Sequence, residues 1–263
     1  MKSIREPAVS GTFYPAEKRT LETMVAKFIS TAKCESFSLR VRALISPHAG
    51  YVYSGPIAGI AFACLKNTAD SIKNVVLLGP AHRVAFSGLA LPSVSYFKTP
   101  LGLVPLDGNA SQRLADLPFV CIMDDAHRDE HSLEVQLPFL QQVLKDFTMV
   151  PLVVGAASPE HVCSALEALA PGEDSVIIVS SDLSHYLPYA RAVKMDQNTA
   201  RSIEELDWSR LRPEQACGCH PIRGLLLYAK NHGLRAQTLH LANSGDTAGS
   251  RDRVVGYGAF IFH

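Results

Sequence analysis

Three histidines follow short apolar runs, and imidazole is a side chain that can bind metals or transfer protons near neutral pH. They are His48, His82 and His185, and the runs before them span residues 43–46, 75–79 and 176–180. Each run is typical of a buried strand, and turn-forming residues follow it. Because ligands bind outside the carboxyl ends of the strands in an open α/β sheet, we expect the three imidazoles to surround one cleft.

Each histidine taken alone is also consistent with a structural role, such as capping a helix or hydrogen-bonding a loop. Independent caps need not converge, so three histidines in the same strand-end context favour a shared site. Imidazole nitrogen suits zinc, copper and iron, and two histidines with one carboxylate suit non-haem Fe(II). The pattern therefore predicts a divalent metal site, for which Fe(II) is the first choice and Cu or Zn the alternatives.

Three acidic residues are candidates for the carboxylate ligand: Asp182, Glu134 and Asp246. Asp182 precedes His185 by three residues, so both can face one cleft, although an aspartate here can equally cap a helix. Glu134 follows His131 by three residues, which on a helix places both on one face, as a solvated face would also do. Asp246 lies in a loop rich in turn-forming residues that requires no function. The residues alone leave the choice open.

The stretch from Cys217 to His220 also contains metal-binding residue types. A structural zinc site requires four ligands at separated spacings, and no second pair lies nearby, so this interpretation is disfavoured. In a chain of this size we expect all six cysteines to be reduced thiols.

Predicted strands and helices alternate along the whole chain. Apolar runs predict strands at residues 74–79, 148–155 and 175–180, and helical patterns cover residues 131–145, 159–169, 189–206 and 221–231. Such alternation is typical of an α/β protein. We expect a single layered domain over residues 1–263, with a largely parallel central sheet flanked by helices.

Composition argues against binding to nucleic acids and to membranes. The chain has 25 Lys+Arg and 25 Asp+Glu residues, so no basic surplus is available to neutralise a phosphate backbone. No apolar run reaches the ~18 residues of a membrane helix, and the first residues lack the apolar core of a signal peptide. We expect a cytoplasmic protein that binds neither nucleic acid nor a membrane.

Six stretches form a longer pattern when they are taken in order. They are REPAVSGTFYP at 5–15, SPHAGYVYSG at 46–55, LGPAH at 78–82, DEHSLEVQLPF at 129–139, SSDLSHY at 180–186 and VGY at 255–257. Together they resemble the Memo family, whose bacterial and archaeal members are called AmmeMemoRadiSam system protein B. The resemblance covers essentially the whole chain.

The resemblance implies a fold similar to that of the LigB-type class III extradiol dioxygenases, which use non-haem Fe(II) to open catechol-like rings. It assigns to the cleft four residues: His48, His82, Asp182 and His185. In animal relatives a cysteine of the C-terminal loop completes the metal set. A comparison without gaps places that cysteine at Thr247, beside Asp246, so we expect Asp246 to act as the third ligand.

These expectations define one mechanism. His48, His82 and Asp246 hold the metal and leave positions open for substrate or dioxygen. His185, oriented by Asp182, acts as a general acid and base near neutral pH.

Four further residues are expected to bind the substrate. Tyr51 and Tyr186 would face an aromatic ligand. His131 and Glu134 would lie at the edge of the site and orient a ligand imidazole.

The function predicted in this way is a redox or dioxygenase-type activity on an unknown substrate. One alternative is a non-catalytic module that binds a peptide, a phosphopeptide or an anion through neutral histidines, aromatic residues and Arg83. The resemblance adds another alternative, a partner of radical-SAM and AMMECR-type proteins. Fold alone does not decide among them.

Overall fold

The structure, a computed structural model, describes residues 3–32, 40–169 and 171–263. The strands are β1 (Ile4–Arg5), β2 (Ala43–Ser46), β3 (Asn74–Pro80), β4 (Leu89–Leu91), β5 (Tyr96–Thr99), β6 (Gly102–Pro105), β7 (Val120–Ile122), β8 (Thr148–Val154), β9 (Ser175–Ser180), β10 (His185–Leu187), β11 (Ala236–Asn243) and β12 (Val254–Phe262). The α-helices are α1 (Lys18–Thr31), α2 (Tyr51–Ala63), α3 (Ala110–Leu114), α4 (Asp124–Arg128), α5 (Leu137–Val143), α6 (Pro159–Leu169), α7 (Tyr189–Glu204) and α8 (Cys219–Asn231). Short 3-10 helices lie at Lys66–Ser71, Glu134–Gln136, Trp208–Arg210 and Ser244–Asp246.

A large central sheet runs in the order β10-β12-β2-β9-β3-β8-β4-β7, and β11 joins it by pairing with β12. The strands β2, β9, β3 and β8 are parallel neighbours. The pairs β11–β12, β12–β2 and β4–β8 are antiparallel. The predicted α/β fold with flanking helices is therefore confirmed, and its parallel part is the centre of the sheet. A short connection returns the chain from β11 to β12, which forces that pair to be antiparallel.

Apolar side chains cover both faces of this sheet. Along β9, Val176 and Ile178 point to one layer, whereas Ile177 and Val179 point to the other. The first layer contains buried residues of α1, α2 and α5, and the second contains those of α6 and α8. Because both faces are buried, the central strands are continuous apolar runs, which is why they were evident in the sequence.

Two glycines bring α2 against α1. A Cβ atom on Gly59 would lie 2.6 Å from the carbonyl oxygen of Phe28, and one on Gly55 would lie 2.4 Å from the Phe28 ring. Both positions therefore require the absence of a side chain. The close contact fixes α2, whose first turn follows directly on the loop that carries His48.

A smaller sheet has the strand order β1-β5-β6. No helix within the described ranges is long and apolar enough to cross a membrane. Cys121, Cys163, Cys217 and Cys219 are free thiols. Cys64 is disulfide-bonded, so the expectation of reduced cysteines is wrong there. Cys34 lies outside the described residues.

Candidate metal centre

The loops that leave β2, β3 and β9 meet at one edge of the sheet, because β9 lies between β2 and β3 and all three are parallel. They border a cavity of about 580 Å³, which we call the histidine cleft. Its walls include His48, His82, His131, Asp182, His185, Phe13, Tyr53, Tyr186, Tyr257 and Arg253. The structure thus brings together the three strand-end histidines, as their positions in the sequence predict.

His131 joins His48 and His82 at the centre of the cleft. One nitrogen atom from each ring lies within 4.8 Å of the nitrogen atoms of the other two. The His48 ring centroid is 5.2 Å from that of His82 and 5.4 Å from that of His131. Over the described part of the chain, this is the one group of three or more ligating side chains that can hold a metal ion.

Glu130 fixes the orientation of His82. Its carboxylate accepts the backbone N–H of His82 at 2.6 Å and the ring Nδ1–H at 2.9 Å. Burial would raise the pKa of Glu130, but the hydrogen bonds and charge of His82 outweigh it and lower that pKa to about 2. Since Nδ1 carries the proton, Nε2 of His82 keeps the lone pair that a metal ligand requires.

Ser180 fixes the tautomer of His48. The Ser180 hydroxyl donates its single proton to the carbonyl of Ser132 at 2.6 Å and accepts from Gln136 Nε2 at 2.7 Å. It can therefore only accept from His48 Nδ1, which lies 2.9 Å away. His48 consequently has its proton on Nδ1 and its lone pair on Nε2.

Two of the three imidazoles are held in the neutral form. Burial, followed by the neighbouring His82, lowers the pKa of His48 well below its usual value. Burial also lowers the pKa of His131 to about 4. Neutral imidazole is the form that binds metals.

The buried Nδ1 of His131 is a separate indication that a metal or another ligand binds in this cleft. Its Nδ1 is buried and has no hydrogen-bond partner, although the carboxylate of Glu130 lies 3.3 Å away. The two atoms lack hydrogen-bond geometry, and that carboxylate oxygen already accepts from His82 and from the backbone of Ser132. A buried nitrogen without a partner is costly unless something outside the chain satisfies it.

Asp182 and His185 both line the cleft, but they do not act as the expected pair. The Asp182 carboxylate accepts the backbone N–H of His48 at 2.7 Å, and burial raises its pKa to about 7. His185 Nδ1 donates instead to the carbonyl of Leu183 at 2.8 Å, which leaves the lone pair on Nε2. The carbonyl of Leu183, and not Asp182, therefore orients His185.

The structure does not bring Asp246 to the histidines, which corrects the predicted third ligand. One carboxylate oxygen accepts the backbone N–H of Asn243 and the other accepts the hydroxyl of Tyr189 at 2.7 Å. Asp246 belongs to a capping box with Asn243, so its carboxylate stabilises the loop. Asp246 also lies outside the walls of the histidine cleft.

Two residues expected to bind substrate lie in the core instead. Tyr51 is 1% exposed, and its hydroxyl donates to the carbonyl of Val135 at 2.7 Å. Glu134 is fully buried and forms an ion pair with Arg5. Tyr186, in contrast, lines the cleft and is 68% exposed.

The interpretation of the sequence missed Glu130 as a partner of His82 and set Cys217 aside. Glu130 directly precedes His131, and this adjacency was the available signal. Cys217 Sγ lies 3.3 Å from Nε2 of His48, and burial raises the pKa of this thiol to about 12. The loop can pack this closely against Ser181 because Gly218 has no side chain, since a Cβ atom there would lie 2.6 Å from that of Ser181.

The chain is similar to known proteins over nearly its whole length. A family model described as "Memo-like protein" matches residues 5–261. A MEMO1 family protein of Archaeoglobus fulgidus is 36% identical, with 98% of this chain and 99% of the relative covered. One from Sulfolobus acidocaldarius is 35% identical, with 97% of each covered.

One solved structure is similar in fold. It is an uncharacterized protein, JW3007, from Escherichia coli K12. The TM-score is 0.51 at 17% identity, with 84% of this chain and all of that chain covered. At this identity the likeness concerns the fold alone.

Proposed function

The chain belongs to the Memo family, and on this premise we propose that it is a metal-dependent redox protein with dioxygenase-type activity on a small molecule. One observation carries the proposal: three histidines from distant segments place their ligating nitrogens within 4.8 Å of one another in one cleft. The cavity of about 580 Å³ beside them leaves room for a ligand of ordinary size.

The proposed ligands are His48, His82 and His131. The residues fit a metal because two of these imidazoles are neutral and the buried Nδ1 of His131 has no protein partner. Three imidazoles suit iron, copper and zinc alike. Redox chemistry requires an ion that changes oxidation state, which zinc does not, so we favour Fe(II) and keep copper as the alternative. Such an ion would supply a Lewis acid and a binding position for dioxygen.

The remaining residues of the cleft would handle protons. His185 has a free Nε2, and burial lowers its pKa, so it can accept a proton from a substrate hydroxyl. Asp182, with its pKa raised to about 7, can hold or release a proton near neutral pH. The aromatic side chains of Phe13, Tyr53 and Tyr186 would contact a planar ligand.

The first test is metal content after anaerobic purification with Fe(II). We expect native protein to hold about one ion, and the double variant His48→Ala/His82→Ala to hold none. His131→Ala should bind at least about tenfold more weakly. Asp246→Asn and His185→Ala are controls and should retain the ion. Equal iron in native protein and the double variant would remove the proposal, and loss in Asp246→Asn alone would restore the earlier ligand assignment.

The second test addresses activity. Iron-loaded protein should consume dioxygen when small catechols are supplied as probes. His185→Gln should retain iron but lose most of this consumption, about 10²-fold or more for a general base. Iron-loaded protein that consumes no dioxygen with any of these probes would contradict dioxygenase-type activity.

A second candidate function is the binding of an anionic ligand without chemistry. One observation favours it: Arg253 lines the cleft and forms no ion pair with any acidic residue in the described part of the chain. Arg83, suggested by the sequence, is not among the residues lining the cleft. Calorimetry with phosphorylated and unphosphorylated tyrosine peptides, with and without a chelator, separates the two functions. Binding that ignores the chelator and is lost in Arg253→Gln would support this candidate.

We also propose, from the family resemblance, that the chain works with radical-SAM or AMMECR-type proteins. Co-purification from native cells tests this, and a protein recovered only by itself would argue against it.

A further inference from the structure

The contact between Cys217 and His48 links a thiol to one of the proposed ligands. Cys217 Sγ lies 3.3 Å from His48 Nε2, 3.6 Å from the carbonyl oxygen of Asp182 and 3.8 Å from Ser181 Oγ. Which of these atoms accepts the thiol proton decides whether the lone pair of His48 is free.

The carbonyl oxygen of Asp182 already has two better donors. The Ser181 hydroxyl donates to it at 2.7 Å, and the backbone N–H of Cys217 donates at 3.3 Å. A carbonyl has two lone pairs, so both are in use. Ser181 Oγ accepts from the backbone N–H of Gly218 at 2.9 Å and is the most distant of the three atoms.

His48 Nε2 is left as the acceptor. Ser180 keeps the ring proton of His48 on Nδ1, so Nε2 presents a lone pair. Among the described residues, the Cys217 thiol is the one side-chain donor within hydrogen-bond distance of that atom. Imidazole nitrogen is also the strongest acceptor near the sulfur.

We infer that Cys217 is a positioning residue that donates its S–H to His48 Nε2, and that this hydrogen bond must break before His48 can bind a cation. The inference rests on the proposed function, because it concerns the same three histidines. Cys217 is not within the set of mutually close ligating atoms. Its thiol therefore competes for the lone pair of His48 and does not act as a fourth ligand.

The competition has a measurable size. A hydrogen bond of average net strength, when it must be given up on binding, weakens that binding by about two- to tenfold. Cys217→Ala should therefore bind Co(II), used as the probe ion, about two- to tenfold more tightly than native protein. Cys217→Ser, which keeps a donor in the same loop, should lie between native protein and Cys217→Ala.

Cys219 supplies the matched control. It is a buried free thiol two residues further on, and among the described residues it is Cys217, not Cys219, whose sulfur contacts His48. Cys219→Ala removes a thiol two residues from Cys217, as Cys217→Ala removes its own, and should bind Co(II) with native affinity. Thermal unfolding of each variant identifies any that fails to fold, and Cys217→Ser then carries the comparison.

Infrared spectroscopy of the metal-free protein tests the hydrogen bond itself. The S–H stretching band that disappears in Cys217→Ala should lie at lower frequency than the band that disappears in Cys219→Ala, because hydrogen bonding weakens the S–H bond. Addition of Co(II) to native protein should move or abolish the Cys217 band.

The outcomes separate the two proposals. Equal or weaker Co(II) binding by Cys217→Ala overturns the inference, and weaker binding identifies the thiol as a ligand. An unshifted S–H band also overturns it. If the S–H band is shifted but neither native protein nor any variant binds Co(II), Fe(II) or Zn(II), the proposed function is wrong. The hydrogen bond from Cys217 to His48 is then established, but its competition with a cation is excluded.

Discussion

Glu134 offers a sharp test of how the interior of this protein is held together. Its carboxylate accepts from the backbone N–H of Ala8 at 2.7 Å, that of Val9 at 3.0 Å and the hydroxyl of Tyr14 at 2.5 Å. It also pairs with Arg5, whose side chain is 5% exposed. The substitution Glu134→Gln keeps the shape but removes the charge and turns one acceptor into a donor.

The expected cost follows from what remains buried. In one orientation the NH₂ group of the glutamine replaces the oxygen that accepts from Arg5 and the N–H of Ala8. In the other it replaces the oxygen that accepts from the N–H of Val9. In either orientation a buried donor faces another donor and loses its acceptor. That loss alone costs about 1–3 kcal/mol. Arg5 also remains as a buried charge without a counterion, and removing one partner of a buried ion pair typically costs 3–5 kcal/mol. Because the two contributions overlap, we expect about 3–5 kcal/mol in total.

Urea unfolding measures this difference. With a slope of about 3 kcal/mol per molar urea, the midpoint should fall by roughly 1–1.7 M. The matched control is Glu6→Gln. Glu6 is a largely exposed carboxylate that pairs with exposed Lys98 at 2.9 Å, so its loss should cost less than about 1 kcal/mol.

Two results would refute the reasoning. A loss below about 1 kcal/mol in Glu134→Gln would mean that the buried ion pair contributes little. Native stability combined with weaker ligand binding would return Glu134 to the substrate-binding role that the sequence suggested.

Three further predictions concern the site and its supports. Glu130→Gln should destabilise the protein strongly at pH 7 and little at pH 2.5. The pKa of the Glu130 carboxyl is about 2 instead of 4.5, so the ionised group stabilises the folded protein above pH 4.5 and this stabilisation is lost as the pH falls from 4.5 to 2. Thermal unfolding at both pH values checks this, and a constant difference would contradict it. Burial raises the pKa of Asp182 from 3.8 to about 7, so ionisation of this group destabilises native protein as the pH rises from 4 to 8. Asp182→Asn lacks this group, so its unfolding temperature should rise relative to that of native protein over the same range. A constant difference between the two unfolding temperatures would contradict this. Gly59→Ala should cost about 1–3 kcal/mol in urea unfolding, since the new Cβ atom would lie 2.6 Å from the Phe28 carbonyl; native stability would show that α1 can move away.

The strand-end histidines were predictable because their signal is local. A continuous apolar run followed by turn-forming residues marks a buried parallel strand and its carboxyl end, which correctly placed His48, His82 and His185. The order of the strands was not visible in the sequence. That β9 lies between β2 and β3 depends on packing across the whole sheet.

The error about His131 and Glu134 has a definite cause. The predicted helix over 131–145 would have put both on one face, but the α-helix begins only at Leu137 and a 3-10 turn covers Glu134–Gln136. The two side chains therefore diverge. His131 reaches the cleft, and Glu134 points into the interior toward Arg5.

Asp246 was misassigned although a local signal existed. Asn243 and Asp246 have the three-residue spacing of a capping box, which uses the side chains at both positions. Cys217 could not have been assigned from its neighbours in sequence, because its contact with His48 spans 169 positions along the chain.

The position of β12 has a consequence for biosynthesis. Strand β2, which leads into His48, pairs with β9 on one side and with β12 on the other. Residues 254–262 are therefore needed to complete a sheet whose central strands were translated long before, and pairings this distant form slowly. The histidine cleft should accordingly mature only after β12 has been made and has paired with β2, and a nascent chain stalled before residue 254 should be unable to load an ion.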